Sequence, residues 1–162
     1  MAYLDNSLRL LRPGAISLKE LRRESGLKIL SAHKHPAEVR APGMLQSHYA
    51  PDTPVKTFRH ESELMGLLKN HTPSTAGVLF LEPPSGTELL SLLHSRGYVF
   101  EVLSESRDLT EAARQLFATL RKLDQQDLSL LFAQVPPQDQ GLGQAIRDRL
   151  MKAAAPKNLF SV

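Results

Sequence analysis

From Asp52 onward, short runs rich in β-branched and aromatic residues alternate with longer runs of helical periodicity, and this rhythm constrains the fold more than any other feature. Strand-type runs fall near residues 54–59, 77–82, 98–103 and 128–134, and helical runs near 61–70, 86–96, 109–124 and 141–154. Val78-Leu79-Phe80-Leu81 is apolar without alternation, which predicts a central strand covered on both faces. Val55 to His60 is interleaved with charges and predicts an edge. In the third helical run, Asp108 and Glu111 form a capping-box pattern, and Leu109, Ala112, Ala113, Leu116, Phe117, Leu120 and Leu123 make one apolar stripe. Right-handed crossovers then predict an α/β fold over residues 52–162: a small, doubly wound, Rossmann-like parallel sheet with flanking helices.

The residues before this domain read differently. Tyr3 to Leu11 alternates around Asp5-Asn6-Ser7, a hairpin pattern. Ser17 with Glu20 predicts a capping box for a helix over Leu18–Ser25, and Gly26 stops it. A hairpin plus a short helix, residues 1–26, buries little and needs a surface to pack on. Residues 27–51 read as a connector. Its first part is a loop with His33 and His35, which would hold a metal only with a third ligand. Its last part, Ala41 to Pro51, carries Pro42, Gly43 and Pro51 and no Lys, Arg, Asp or Glu. Proline stiffens such a stretch, and Met44, Leu45, His48 and Tyr49 give it surface to bury, so it is expected to lie on something.

The chain has no cysteine, which excludes disulfides, thiolate metal sites and a cysteine nucleophile. No apolar run approaches the roughly 20 residues that cross a bilayer, so a soluble, cytoplasmic protein with no membrane partner is the expectation. The formal net charge is +3, but residues 1–50 hold eight Lys/Arg against four Asp/Glu, so the whole excess lies before the main domain. That segment is either a solvated surface or a face for a polyanion such as tRNA; no RNA-binding module motif accompanies it.

A Rossmann-like sheet invites a search for a nucleotide fingerprint. No Gly-rich turn follows the first strand, and there is no phosphate-loop motif. Gly141 and Gly143 open the last helix, where free N–H groups could take an anion, although glycines there equally serve a tight turn and close packing. Arg149 falls in the apolar stripe of that helix. It either bridges to Asp124 at the end of the third helix or runs along the surface to solvent. Histidines 33, 35, 48, 60, 71 and 94 are scattered and no serine sits in a nucleophile elbow, so no catalytic residue is assigned.

One pattern resembles a known family. Pro42-Gly43-Met44, three residues, then His48-Tyr49-Ala50-Pro51 is similar to the interdomain linker of two-domain threonylcarbamoyl-AMP synthases. Leu11 to Ser17 is similar to the end of their YrdC-like catalytic domain, and Gly141 to Ala154 to their last helix. The resemblance implies that the chain is the C-terminal domain, linker and catalytic-domain tail of such an enzyme. It implies a YrdC-like catalytic domain as partner, in cis or in trans, that this chain lacks. ATP with Mg would bind there, no cofactor would bind here, and the activity would serve threonylcarbamoyladenosine formation in tRNA. Pro42, Gly43 and Met44 would shape the linker, and His48 and Tyr49 would help close it over the nucleotide. Leu45, Gln46 and Ser47 replace the family's usual basic and aromatic residues, which removes phosphate-facing cations. The alternative is a nucleotide- or RNA-binding module detached from synthesis, acting through the basic first segment.

Overall fold

The structure, a computed structural model, describes residues 2–4, 7–31, 50–71, 75–137 and 141–155, with side chains from Leu8 onward. Two sheets are present among them. The larger contains β4 (Val55–Phe58), β5 (Ala76–Phe80), β6 (Val99–Val102) and β7 (Leu130–Gln134), in the order β4-β7-β5-β6 and parallel throughout. As predicted, β4 lies at an edge. β5 is central and buried at every position, because both of its faces are covered.

Period-2 alternation sorts the strand side chains into two cores. Val78, Phe80, Leu130 and Phe132 face α2 (Glu61–Leu68) and α3 (Thr87–Ser95), packing with Leu64, Leu68, Leu89 and Leu93. Leu79, Leu81, Leu131 and Ala133 face α4 (Leu109–Asp124) and α5 (Gly141–Ala153), packing with Leu116, Leu120, Ile146 and Leu150. The topology explains this division. From β4 to β5 and from β5 to β6 the chain advances in one direction, and both helices lie on one face. From β6 to β7 it turns back, so a right-handed crossover puts α4 on the other face. The domain is doubly wound, as the alternation of runs implied.

Local chemistry anchors these elements. Tyr98 is buried, and its hydroxyl donates to the carbonyls of Leu68 (3.0 Å) and His71 (3.1 Å), locking the start of β6 to the end of α2. Asp108 caps α4 by accepting from the N–H of Thr110 at 2.7 Å. Glu111 does not close the box expected of it. Its Oε2 instead accepts from the hydroxyls of Ser104 (2.6 Å) and Ser106 (2.7 Å), while the N–H of Asp108 donates to Ser104 Oγ. Those hydroxyls, Ser104 first, hold the Glu111 carboxyl below the usual carboxylate range.

The smaller sheet has β1 (Ala2–Leu4), β2 (Ser7–Arg9) and β3 (Ile29–Leu30) in that order. The hairpin of β1 and β2 is antiparallel, and α1 (Leu18–Ser25) crosses over to β3, parallel to β2. The α1 capping box is present: Ser17 Oγ accepts from the N–H of Glu20, and the Glu20 carboxylate accepts from Ser17 N–H at 2.8 Å. Gly26 ends the helix in the left-handed region at φ 65°. The sequence reading placed only loop at residues 27–40, but Ile29 is fully buried in β3, and the backbone N–H of Leu10 donates to Leu30's carbonyl. The small sheet is therefore larger than the hairpin and helix predicted for residues 1–26. None of the helices among the described residues is long and apolar enough to cross a membrane.

Candidate functional site

Helices leaving β4 and β7 go to opposite faces although the strands are neighbours, so a crevice opens at their carboxyl ends. In open α/β sheets ligands bind at such a switch point. Here the crevice has a volume of about 560 Å³ and is lined by residues that directly follow three strands: Arg59, His60 and Glu61 after β4, Glu82 and Ser85 after β5, and Gln134, Val135 and Pro137 at the end of β7. Arg147 of α5 closes one side. A smaller pocket of about 180 Å³ shares Arg59, Val135 and Arg147 and runs along β4 to Met151, a half-exposed side chain.

Several wall residues are already fixed. Glu61 accepts from Ser85 N–H (2.7 Å), Ser85 Oγ (3.1 Å) and Gly86 N–H (2.9 Å), so its charge is spent on the N-terminus of α3. A Cβ at residue 86 would come within 2.7 Å of Glu61 Oε2, so a larger residue there would push the Glu61 carboxylate off these donors. Gln134 Oε1 accepts from Leu81 N–H at 3.0 Å. Arg147 donates through Nη2 to the carbonyls of Pro136 (2.6 Å) and Pro137 (3.1 Å), staking down the segment after β7. The Arg59 guanidinium, the His60 ring and the Glu82 carboxylate are exposed and make no such bonds among the described residues. Rigid walls with a few uncommitted charged groups suit the orientation of a polar ligand.

The residues singled out from sequence fall elsewhere. Pro42, Gly43, Met44, His48 and Tyr49, and also His33 and His35, lie outside the described residues. Gly141 has φ 57°, a left-handed conformation that favours glycine, and a Cβ there would sit 3.2 Å from the carbonyl of Ala15. Gly143 is buried. Gly141 thus serves a tight turn and a close approach to Ala15. Asp124 accepts from the backbone N–H of Asp52 (3.0 Å) and Thr53 (2.8 Å), which ties the entry of the domain to the end of α4. Arg149 Nη1 donates to the carbonyl of Ala145 at 2.8 Å, one turn back in its own helix. Among the described residues no group of three His, Asp or Glu is placed to hold a metal ion.

The crevice residues carry no glycine-rich turn after the first strand and so match no nucleotide fingerprint. The available signal was position: Arg59-His60 follows the first strand of the domain and Glu82 the second.

A sequence model described as the threonylcarbamoyl-AMP synthase C-terminal domain matches residues 16–155. Threonylcarbamoyl-AMP synthase of Schizosaccharomyces pombe is 31% identical, over 90% of this chain and 39% of its own length. The Bacillus subtilis enzyme of that name is 29% identical, over 95% of this chain and 44% of its own length. A crystal structure of the Pyrococcus abyssi relative complexed with L-threonine superposes with a TM-score of 0.63 at 29% identity, covering 90% of this chain and 42% of that one. A second structure of that protein, with a histidine and a tyrosine in adjacent positions both replaced by alanine, gives 0.58 at 26% identity, over 90% of this chain and 41% of that one. The chain spans about two-fifths of the length of these relatives. With the match running from the start of α1 through the end of α5, the chain belongs to the family of threonylcarbamoyl-AMP synthase C-terminal domains.

Proposed function

We propose that this chain is the accessory domain of an L-threonylcarbamoyladenylate synthase, and that its connector is a lid over the ATP site of a YrdC-like catalytic domain. That enzyme would join ATP, threonine and bicarbonate into threonylcarbamoyl-AMP for tRNA modification. The observation that carries the reading is the continuous family match over residues 16–155, which takes in the connector as well as the sheet. The complex of the Pyrococcus abyssi relative with L-threonine supports the substrate class. The alanine variant of that protein supports attention to a His-Tyr pair, and this chain has a single one, His48-Tyr49.

A lid is useful for a chemical reason. A mixed anhydride of a carbamic acid with AMP hydrolyses readily, and a connector folded over it excludes water. ATP with Mg would sit in the catalytic domain, against the underside of the lid. The rival RNA-binding reading loses one α1 cation, because Arg22 is held on the carbonyl of Ile29; Lys19 and Arg23 remain at the surface. The test is pyrophosphate release from ATP with threonine and bicarbonate. The chain alone should give background, and adding a YrdC-like domain should give turnover that falls on His48→Ala/Tyr49→Ala substitution. Turnover by the chain alone, or indifference to that double substitution, would refute the reading. A tether holds two domains near millimolar effective concentration, so mixed pieces should need high concentration and a fused chain should not.

A further inference from the structure

From the crevice at the carboxyl ends of β4, β7 and β5, we infer that this domain binds a ribose phosphate ester, such as a nucleoside monophosphate, in a site of its own. The phosphate lies against Arg59 and His60, and the ribose hydroxyls lie against Glu82.

Four observations converge. The crevice sits where the helices following neighbouring strands leave to opposite faces. Its volume of about 560 Å³ is ample for a mononucleotide. Its fixed groups, Glu61, Gln134 and Arg147, are consumed in holding the walls, which leaves Arg59, His60 and Glu82 to face a guest. The sign and placement of those three are also asymmetric. The Arg59 guanidinium and the His60 ring follow the first strand of the domain, and the Glu82 carboxylate follows the second. Dinucleotide-binding sheets use the same two positions, with phosphate at the first strand–helix turn and an acidic side chain on the ribose hydroxyls after the second strand.

Here β7 lies between those strands, so the two ends are separated by about 10 Å, twice the spacing of neighbouring strands. A ribose with its 5′-phosphate carries an anionic end and a hydroxyl end and can address both strand ends at once; a bare anion has only the one. Arg59 replaces the glycine-rich turn: a guanidinium can grip a phosphate at a distance where the backbone itself does not approach closely.

The inference concerns this chain alone and stands whether or not a catalytic domain docks on it. Calorimetric titration of the isolated chain with AMP, ribose 5-phosphate and inorganic phosphate tests it. AMP and ribose 5-phosphate should bind saturably and more tightly than phosphate. Arg59→Ala should weaken both by about tenfold or more, as loss of a charged hydrogen bond does. Glu82→Gln should weaken AMP and ribose 5-phosphate but leave phosphate unchanged or tighter, since a repelling charge is gone. Arg114→Ala, on exposed α4 away from the crevice, should change nothing. Arg59 and Glu82 are exposed, so thermal unfolding of both variants should match the parent. Absence of saturable AMP binding would overturn the inference. So would phosphate binding as tight as AMP, or AMP affinity indifferent to both substitutions. The comparison of AMP with phosphate on the parent chain decides the matter even if a variant fails to fold.

Discussion

The two sheets of this molecule hold together by different means. The four-stranded sheet is a sandwich of helix, strand and helix in which Phe58, Phe80, Phe132, Leu79, Leu116 and Leu131 are all nearly or wholly out of water. Burial of that kind contributes roughly 25 cal/mol per Å² of apolar surface and makes a domain self-sufficient. The three-stranded sheet has Ile29 fully buried, but α1 buries none of its residues, and Ile16 and Leu27 on either side of that helix stay about half exposed. What orders it is local and polar: the Ser17–Glu20 box, the Gly26 stop and the grip of Arg22 on the carbonyl of Ile29. One region is a finished core; the other is organised by its own turns and leaves Ile16 and Leu27 half exposed.

Substitutions should expose this difference. Phe132→Ala, in the middle of the central layer, should cost about 3–5 kcal/mol of global stability by urea unfolding. If it costs under about 1 kcal/mol, the sheet is not the source of the fold. Asp124→Ala removes the acceptor that anchors Asp52 and Thr53, and should cost about 1–2 kcal/mol and raise amide exchange at the start of β4. Ser17→Ala should cost about 1 kcal/mol of α1 stability, read by amide exchange in α1 and β3, while the unfolding midpoint of the large domain stays put. A shift of that midpoint would mean that the regions are coupled more tightly than their cores imply.

The smallest effect is in acid. Hydrogen bonds from the Ser104 and Ser106 hydroxyls depress the pKa of Glu111 in the folded state. Its contribution is therefore complete above the ordinary carboxylate range and is lost as pH falls through the depressed value. Thermal unfolding of the parent should fall toward that of Glu111→Gln as the solution is acidified, and the two should differ most near neutrality. A gap that does not change with pH would remove Glu111 from the account.

What could be read from sequence divides along the range of the interactions. The α1 box, its glycine stop, the edge character of β4 and the central position of β5 follow from residues next to one another or from a short period, and they appeared where expected. β3 did not, because two residues carry no period, and Ile29 is a strand only through pairing with Leu8 across the helix. Spacing alone pairs Glu111 with Asp108, but in the folded turn Glu111 accepts from the hydroxyls of Ser104 and Ser106. The bonds of Asp124 to Asp52 and Thr53 span more than seventy residues that no local pattern links. The crevice is non-local in the same way: Arg59, His60 and Glu82 lie on two connections that only the strand order brings together.

The central proposal is that this domain and its connector act together with a YrdC-like catalytic domain. Its most direct test is threonine- and bicarbonate-dependent pyrophosphate release by the chain fused behind a YrdC-like domain, compared with the same fusion carrying His48→Ala and Tyr49→Ala. The account predicts turnover by the first, a large loss in the second and none from the unfused chain. Equal rates from the two fusions would contradict it.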